Sequence, residues 1–125
     1  MFFQQTTRNH PETARVEEID PISASTLDPE VWLVDVREIR ELTDPLGHVA
    51  GVRHVPMGAV GAAFAEVDRA QPIALICRSG GRSGAAARRL VAMGFERVYN
   101  VSGGMMGWNR AGLPVSHDAT LGDVR

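Results

Sequence analysis

Pro72-Ile73-Ala74-Leu75-Ile76-Cys77-Arg78-Ser79-Gly80-Gly81-Arg82-Ser83 is the stretch that decides how the rest of the chain is read. Residues 72–76 are apolar without interruption, the pattern of a central parallel strand covered on both faces. The run stops at Cys77. Behind it, glycine-rich sequence opens a helix in which Ala86, Leu90 and Met93 recur at helical spacing while Arg88 and Arg89 fall to solvent. Gly94 supplies the C-terminal stop. Strand, tight loop and helix in this order put Cys77 where open parallel sheets bind ligands, beyond the carboxyl end of a strand.

Upstream, Val16-Glu17-Glu18-Ile19 reads as a first strand, and Asp20-Pro21 as a helix start with Asp at the N-cap and Pro in the first turn. Val31-Trp32-Leu33-Val34-Asp35-Val36 is β-branched and apolar, hence a strand. Residues 37–42 carry apolar side chains three apart and predict a helix, which Asp44-Pro45-Leu46-Gly47 breaks. Residues 51–56 read as a brief strand closed by Pro56, and 58–65 as a weak helix. Downstream, Val98-Tyr99-Asn100-Val101 is the last strand and Gly103-Gly104 a turn; residues 105–110 form a short helix ended by Gly112 and Pro114. Alternating strands and helices imply right-handed crossovers. The expected fold is therefore α/β: three layers, with a central parallel sheet of about five strands and helices on both faces. The domain is expected to span 15–115, between a flexible N-terminal arm (1–14) and a flexible C-terminal tail (116–125), neither of which shows periodicity.

Composition fits one domain. The chain has 125 residues, 44% hydrophobic and 22% charged, within the globular range, and no apolar run is long enough to span a bilayer. Met1-Phe2-Phe3-Gln4-Gln5-Thr6-Thr7-Arg8 lacks the basic leader and apolar core of a secretory signal, so the expected location is cytoplasmic. A net charge of −2 offers no basic field for nucleic acid or an anionic membrane, and neither is an expected partner. Locally the balance reverses: residues 76–97 hold five arginines against one acid, which suits a small anion. All thirteen basic residues are Arg, which excludes a lysine Schiff base.

The single cysteine cannot form an intramolecular disulfide, so Cys77 is either a buried packing residue or a working thiol. A packing cysteine needs no glycine-rich, arginine-flanked turn behind it. Amides at a helix opening, with Gly80 and Gly81 letting the backbone curl, make a nest of donors that stabilises a thiolate. Such a cysteine titrates below its free value and is a nucleophile at neutral pH. Arg78 and Arg82 read either as anion contacts or as solvated charges, and Arg82 also as a brace to backbone carbonyls.

At this point the chain resembles the rhodanese family of sulfurtransferases over residues 16–114. The resemblance rests on Leu33-Val34-Asp35-Val36-Arg37-Glu38, on Gly47-His48-Val49-Ala50-Gly51-Val52-Arg53-His54-Val55-Pro56, and on the loop from Cys77 to Ser83. It rests also on Val98-Tyr99-Asn100-Val101-Ser102-Gly103-Gly104 with Trp108, Gly112, Leu113 and Pro114. It implies that Cys77 takes the outer sulfur of thiosulfate, releases sulfite, and passes the sulfur to cyanide or a thiol, with a protein acceptor also admitted. Amides of Arg78, Ser79, Gly80, Gly81, Arg82 and Ser83 would hold the persulfide, and the Arg78 and Arg82 side chains would orient the donor. No metal or organic cofactor is implied. Asp35, Arg37 and His48 match family positions; their bland use is to tie strand ends to loops, and His48 as a general base is the sharper one. Met105 and Met106 stand where the family has aliphatic residues, and Gly107 where it has Ala before Trp108, a change that would loosen the pocket wall.

Cysteine-dependent phosphatases also place an arginine after a loop, but with one residue more than the four between Cys77 and Arg82; the tighter loop suits a single sulfur. A non-enzymatic persulfide carrier or rhodanese-like binding module, and a thiol redox sensor, complete the alternatives.

Overall fold

β4 (Ile73–Ile76) is buried at all four positions and lies at the centre of a five-stranded sheet of order β1-β5-β4-β2-β3, every pairing parallel. The computed structural model describes residues 15–118, and the expected arm at 1–14 lies outside them. The other strands are β1 (Val16–Ile19), β2 (Trp32–Asp35), β3 (Arg53–His54) and β5 (Val98–Val101). Helices α1 (Pro21–Ser25), α2 (Val60–Ala63), α3 (Gly81–Ala92) and α4 (Gly104–Arg110) complete the domain.

Because side chains alternate along a strand, β4 feeds two cores. Ile73, Leu75 and Cys77 face Ala86, Ala87 and Leu90 of α3, with Phe64 and Phe95 meeting edge to face at 5.8 Å. Ile76 faces the other way, onto Ala24 of α1 and Met105 and Trp108 of α4. The expected three layers are present. Among the described residues, no helix is long and apolar enough to cross a membrane.

The structure qualifies three expectations. The helix expected over 37–42 is only a 3-10 turn, Ile39–Glu41. The backbone stays engaged with the sheet through Val36, whose N–H donates to Ile76 O and whose carbonyl accepts from Met57, so only the residues beyond Glu38 are free to turn. The helix expected over 58–65 is a 3-10 turn, Met57–Ala59, running into the single turn of α2. Ser116, expected in the tail, exchanges backbone hydrogen bonds with His48 at 2.9 and 2.7 Å in an antiparallel bridge, and the expected tail from residue 119 onward lies outside the described residues.

Candidate active site

Cys77 is the first residue beyond β4. Its carbonyl accepts from Met105 N–H at 2.8 Å and the Arg78 carbonyl from Met106 N–H at 2.9 Å, so the first turn of α4 pins the base of the loop. Only glycine allows this approach at position 104: φ is +57°, and a Cβ would lie 2.6 Å from the Arg78 carbonyl. Gly80, at φ 108°, turns the loop back over the sulfur and caps α3, whose Gly84 N–H it accepts at 3.0 Å. From that turn the Gly80 N–H donates to Cys77 Sγ at 3.1 Å, and the Ser83 hydroxyl stands 3.3 Å from the same atom.

Cys77 is 1% exposed, the floor of the loop rather than a surface thiol. Burial pushes the thiol up. The Ser83 hydroxyl and the amides of Ser83, Gly80 and Ser79 outweigh that, so it titrates below its ordinary value of 9.0. Of the loop residues expected to hold sulfur, these three supply the donors. Gly81 is exposed at the start of α3. Arg78 is exposed, and its side chain has no hydrogen bond or ion pair among the described residues.

The Arg82 guanidinium does not brace backbone carbonyls; it closes on the Glu41 carboxylate at 2.8 Å through both nitrogens. Glu41 is itself fixed, because its carboxylate accepts from Glu38 N–H at 2.9 Å and its carbonyl from Arg37 Nη1 at 3.1 Å. Arg37 is wholly buried, donating also to Asp35 at 2.8–3.2 Å and to Gly47 O at 2.8 Å. The bland reading of Asp35 and Arg37 thus describes what they do: they tie the end of β2 to the turn that presents Glu41.

His48 belongs to the same structural set. It is fully buried, its Nδ1 donates to Leu42 O at 2.8 Å, and Nε2 has no partner among the described residues. No hydrogen bond joins it to Cys77, so the general-base reading loses its geometry. Met105 is core and Met106 half-buried. Gly107 abuts α1 rather than the loop: a Cβ there would sit 3.3 Å from Pro21 Cγ.

Sequence reasoning missed Glu41, Asn100 and Glu18. Ser83 Oγ lies 2.6 Å from Asn100 Oδ1, and Asn100 Nδ2 donates to both oxygens of Glu18, at 3.0 and 3.1 Å, and to Gly80 O at 3.2 Å. The one local signal was Glu38 with Glu41 three residues on, the spacing of a capping box. A cavity of about 370 Å³ lined by Ala24, Leu33, Val49 and Trp108 among others includes no residue of the loop. Among the described residues no three His, Cys, Asp or Glu side chains are grouped to hold a metal ion.

A thiol seated in a ring of loop donors at the carboxyl edge of a parallel sheet defines a cysteine-centred α/β domain. The rhodanese-like domain model matches residues 20–111, and the chain belongs to that family. It is 39% identical over 83 residues to the thiosulfate sulfurtransferase GlpE of Actinobacillus pleuropneumoniae serotype 3 (strain JL03), covering 66% of this chain and 75% of that one. It is 41% identical over 81 residues to YrkF of Bacillus subtilis (strain 168), whose name proposes a sulfur carrier; the match covers 65% of this chain and 43% of YrkF, less than half of that relative. A rhodanese-related protein of Thermoplasma volcanium superposes with a TM-score of 0.72 at 28% identity, covering 82% of this chain and 99% of the other.

Proposed function

We propose that the protein is a thiosulfate sulfurtransferase working through a Cys77 persulfide. The Cys77 thiolate attacks the outer sulfur of thiosulfate; the new S–S bond forms as the old one breaks, and sulfite leaves with its electron pair. The persulfide then gives that sulfur to cyanide, as thiocyanate, or to a thiol, as a new persulfide, and the thiolate returns. The observation that carries this reading is the sulfur's setting: Gly80 N–H at 3.1 Å and the Ser83 hydroxyl at 3.3 Å both converge on Sγ. Those donors stabilise the thiolate, and by extension the persulfide anion, without metal or organic cofactor.

Arg78 takes the donor's charge. It is the loop cation with no side-chain partner among the described residues, whereas Glu41 neutralises Arg82. Because Cys77 lies at the floor, thiosulfate meets it end-on, outer sulfur first. A cytoplasmic setting, where thiols stay reduced, suits this chemistry.

A second reading, a dedicated persulfide carrier serving one protein, draws on the name of YrkF and needs the same Cys77 persulfide. Two measurements separate the readings. Thiosulfate is expected to raise the intact mass by one sulfur atom, reversibly under reductant and not in Cys77→Ser; an unchanged mass overturns both. Steady thiocyanate formation from thiosulfate and cyanide supports the enzyme, whereas sulfur loading without turnover supports the carrier.

A further inference from the structure

We infer that Asn100, held in place by Glu18, is a positioning residue that governs the reactivity of Cys77 by competing for the single hydroxyl proton of Ser83. The inference rests on Cys77 being the working nucleophile. Ser83 is buried and has one proton and three acceptors within reach: Asn100 Oδ1 at 2.6 Å, Cys77 Sγ at 3.3 Å and Gly80 O at 3.4 Å. The contact to Asn100 is at the short end for an O–H···O bond, so in the resting site the proton points to the amide. Ser83 then turns a lone pair toward Cys77, the partner a neutral S–H requires. When Cys77 ionises, its proton leaves to solvent and the Ser83 hydroxyl must swing from Asn100 to the thiolate. The bond to Asn100 is the cost of that swing.

The amide cannot turn over to relieve the competition. Its Nδ2 already donates to both carboxylate oxygens of Glu18 and to Gly80 O, which leaves Oδ1 for Ser83. Glu18 stands opposite Asn100 in the β1–β5 register, and its Oε1 also accepts from Ser102 Oγ at 2.9 Å. Gly84 leaves the amide its room, since a Cβ there would lie 3.3 Å from Nδ2. A chain of polar contacts thus runs from the exposed Glu18 on the sheet edge, through Asn100 and Ser83, to the buried sulfur.

The test is the pH profile of Cys77 alkylation by iodoacetamide. In Asn100→Ala the hydroxyl is released to the sulfur, and the midpoint is expected to fall by about one pH unit. Glu18→Thr, at an exposed position of β1, lets the amide turn and is expected to lower the midpoint by less. Both shifts are expected to shrink in a Ser83→Ala background, because they act through that hydroxyl. An unmoved midpoint, a rise, or a fall that persists undiminished without Ser83 overturns the inference. A rise would mean that Asn100 merely steers Ser83 toward the sulfur; a persistent fall would mean a charge effect alone. Thiosulfate loading, followed by mass, is the separate arm: loading with an unmoved midpoint sinks the positioning role alone, and shifted midpoints without loading sink only the sulfurtransferase reading.

Discussion

Glu41 grips Arg82 across 41 residues of sequence, each carboxylate oxygen 2.8 Å from its own guanidinium nitrogen. In this pair the Arg82 side chain is 40% and the Glu41 side chain 21% exposed. A fork-on-fork contact of this kind fixes direction as well as charge. It offsets the second positive charge that the loop sequence advertises, and Arg78 stays exposed without a side-chain partner among the described residues.

Glu41→Gln removes the charge that holds Arg82 while leaving a side chain able to keep the turn. A freed guanidinium at a half-exposed site is worth about 1 kcal/mol to an anionic donor, so the half-saturating thiosulfate concentration is expected to fall about fivefold. Arg78→Ala is expected to raise it by a similar factor. Steady-state thiocyanate assays measure both, and a Glu41→Gln enzyme with weaker thiosulfate binding would show that the pair serves the site as it stands.

The same pair makes acid stability informative. Arg82 holds the Glu41 carboxyl down at about 2 against an ordinary 4.5, overcoming the opposing effect of burial. A folded value below the unfolded one means that the stabilisation is fully present above about pH 4.5 and is lost as pH falls through about 2. The gap in urea midpoint between the natural protein and Glu41→Gln is therefore expected to be constant above 4.5 and to close below it. A gap that stays constant into acid would assign the stability to something other than the ion pair.

What the sequence revealed and what it hid divide along chain distance. β4, the Cys77 loop and α3 are one continuous run whose apolar block, paired glycines and helical spacing are local signals, so their order and the position of the thiol were legible. The Asp20 cap was legible for the same reason; its side chain accepts from Ser23 N–H at 2.7 Å. Glu41 with Arg82 and Glu18 with Asn100 meet only because the sheet order sets β1 beside β5 and β2 beside β4, and no period in one sequence reports such meetings. Residues 37–42 misled for a related reason: their helical spacing was outweighed by Arg37, whose buried guanidinium is spent on Asp35, Glu41 O and Gly47 O.

Gly104 sets how tightly α4 seats on the loop. Gly104→Ala would drive a Cβ to 2.6 Å from the Arg78 carbonyl at a φ of +57° that L-residues avoid. The expected loss is about 2 kcal/mol or more, seen as a fall in Tm of about 10 °C together with loss of sulfur loading. Gly58→Ala is the control: a Cβ there meets nothing within 4 Å, and its φ is not in the left-handed region. Equal effects of the two changes would remove the steric argument.

Cys77 owes its lowered titration to donors, not to exposure. Burial acts against ionisation, and the Ser83 hydroxyl and the Ser83, Gly80 and Ser79 amides reverse it. Ser83→Ala deletes the side-chain donor and keeps the amides, so the alkylation midpoint is expected to rise and the rate of thiosulfate loading at neutral pH to fall, both without change in the high-pH plateau. A midpoint that stays put would mean the amides suffice.

On the proposed sulfur transfer, a sulfur at the floor of its loop would also select acceptors by size. With Cys77 at 1% exposure, the outer sulfur of the proposed persulfide would project only as far as one added atom allows. Cyanide is a narrow rod and reaches it along the path thiosulfate took; a branched peptide thiol such as glutathione must spread the loop first. Access multiplies the intrinsic nucleophilicity of the attacking group. The ratio of discharge rates, cyanide over glutathione, is therefore expected to exceed the ratio for a free cysteine persulfide by about tenfold. Stopped-flow loss of the Cys77 persulfide against both acceptors measures it, and equal ratios would mean that the loop opens faster than any acceptor attacks.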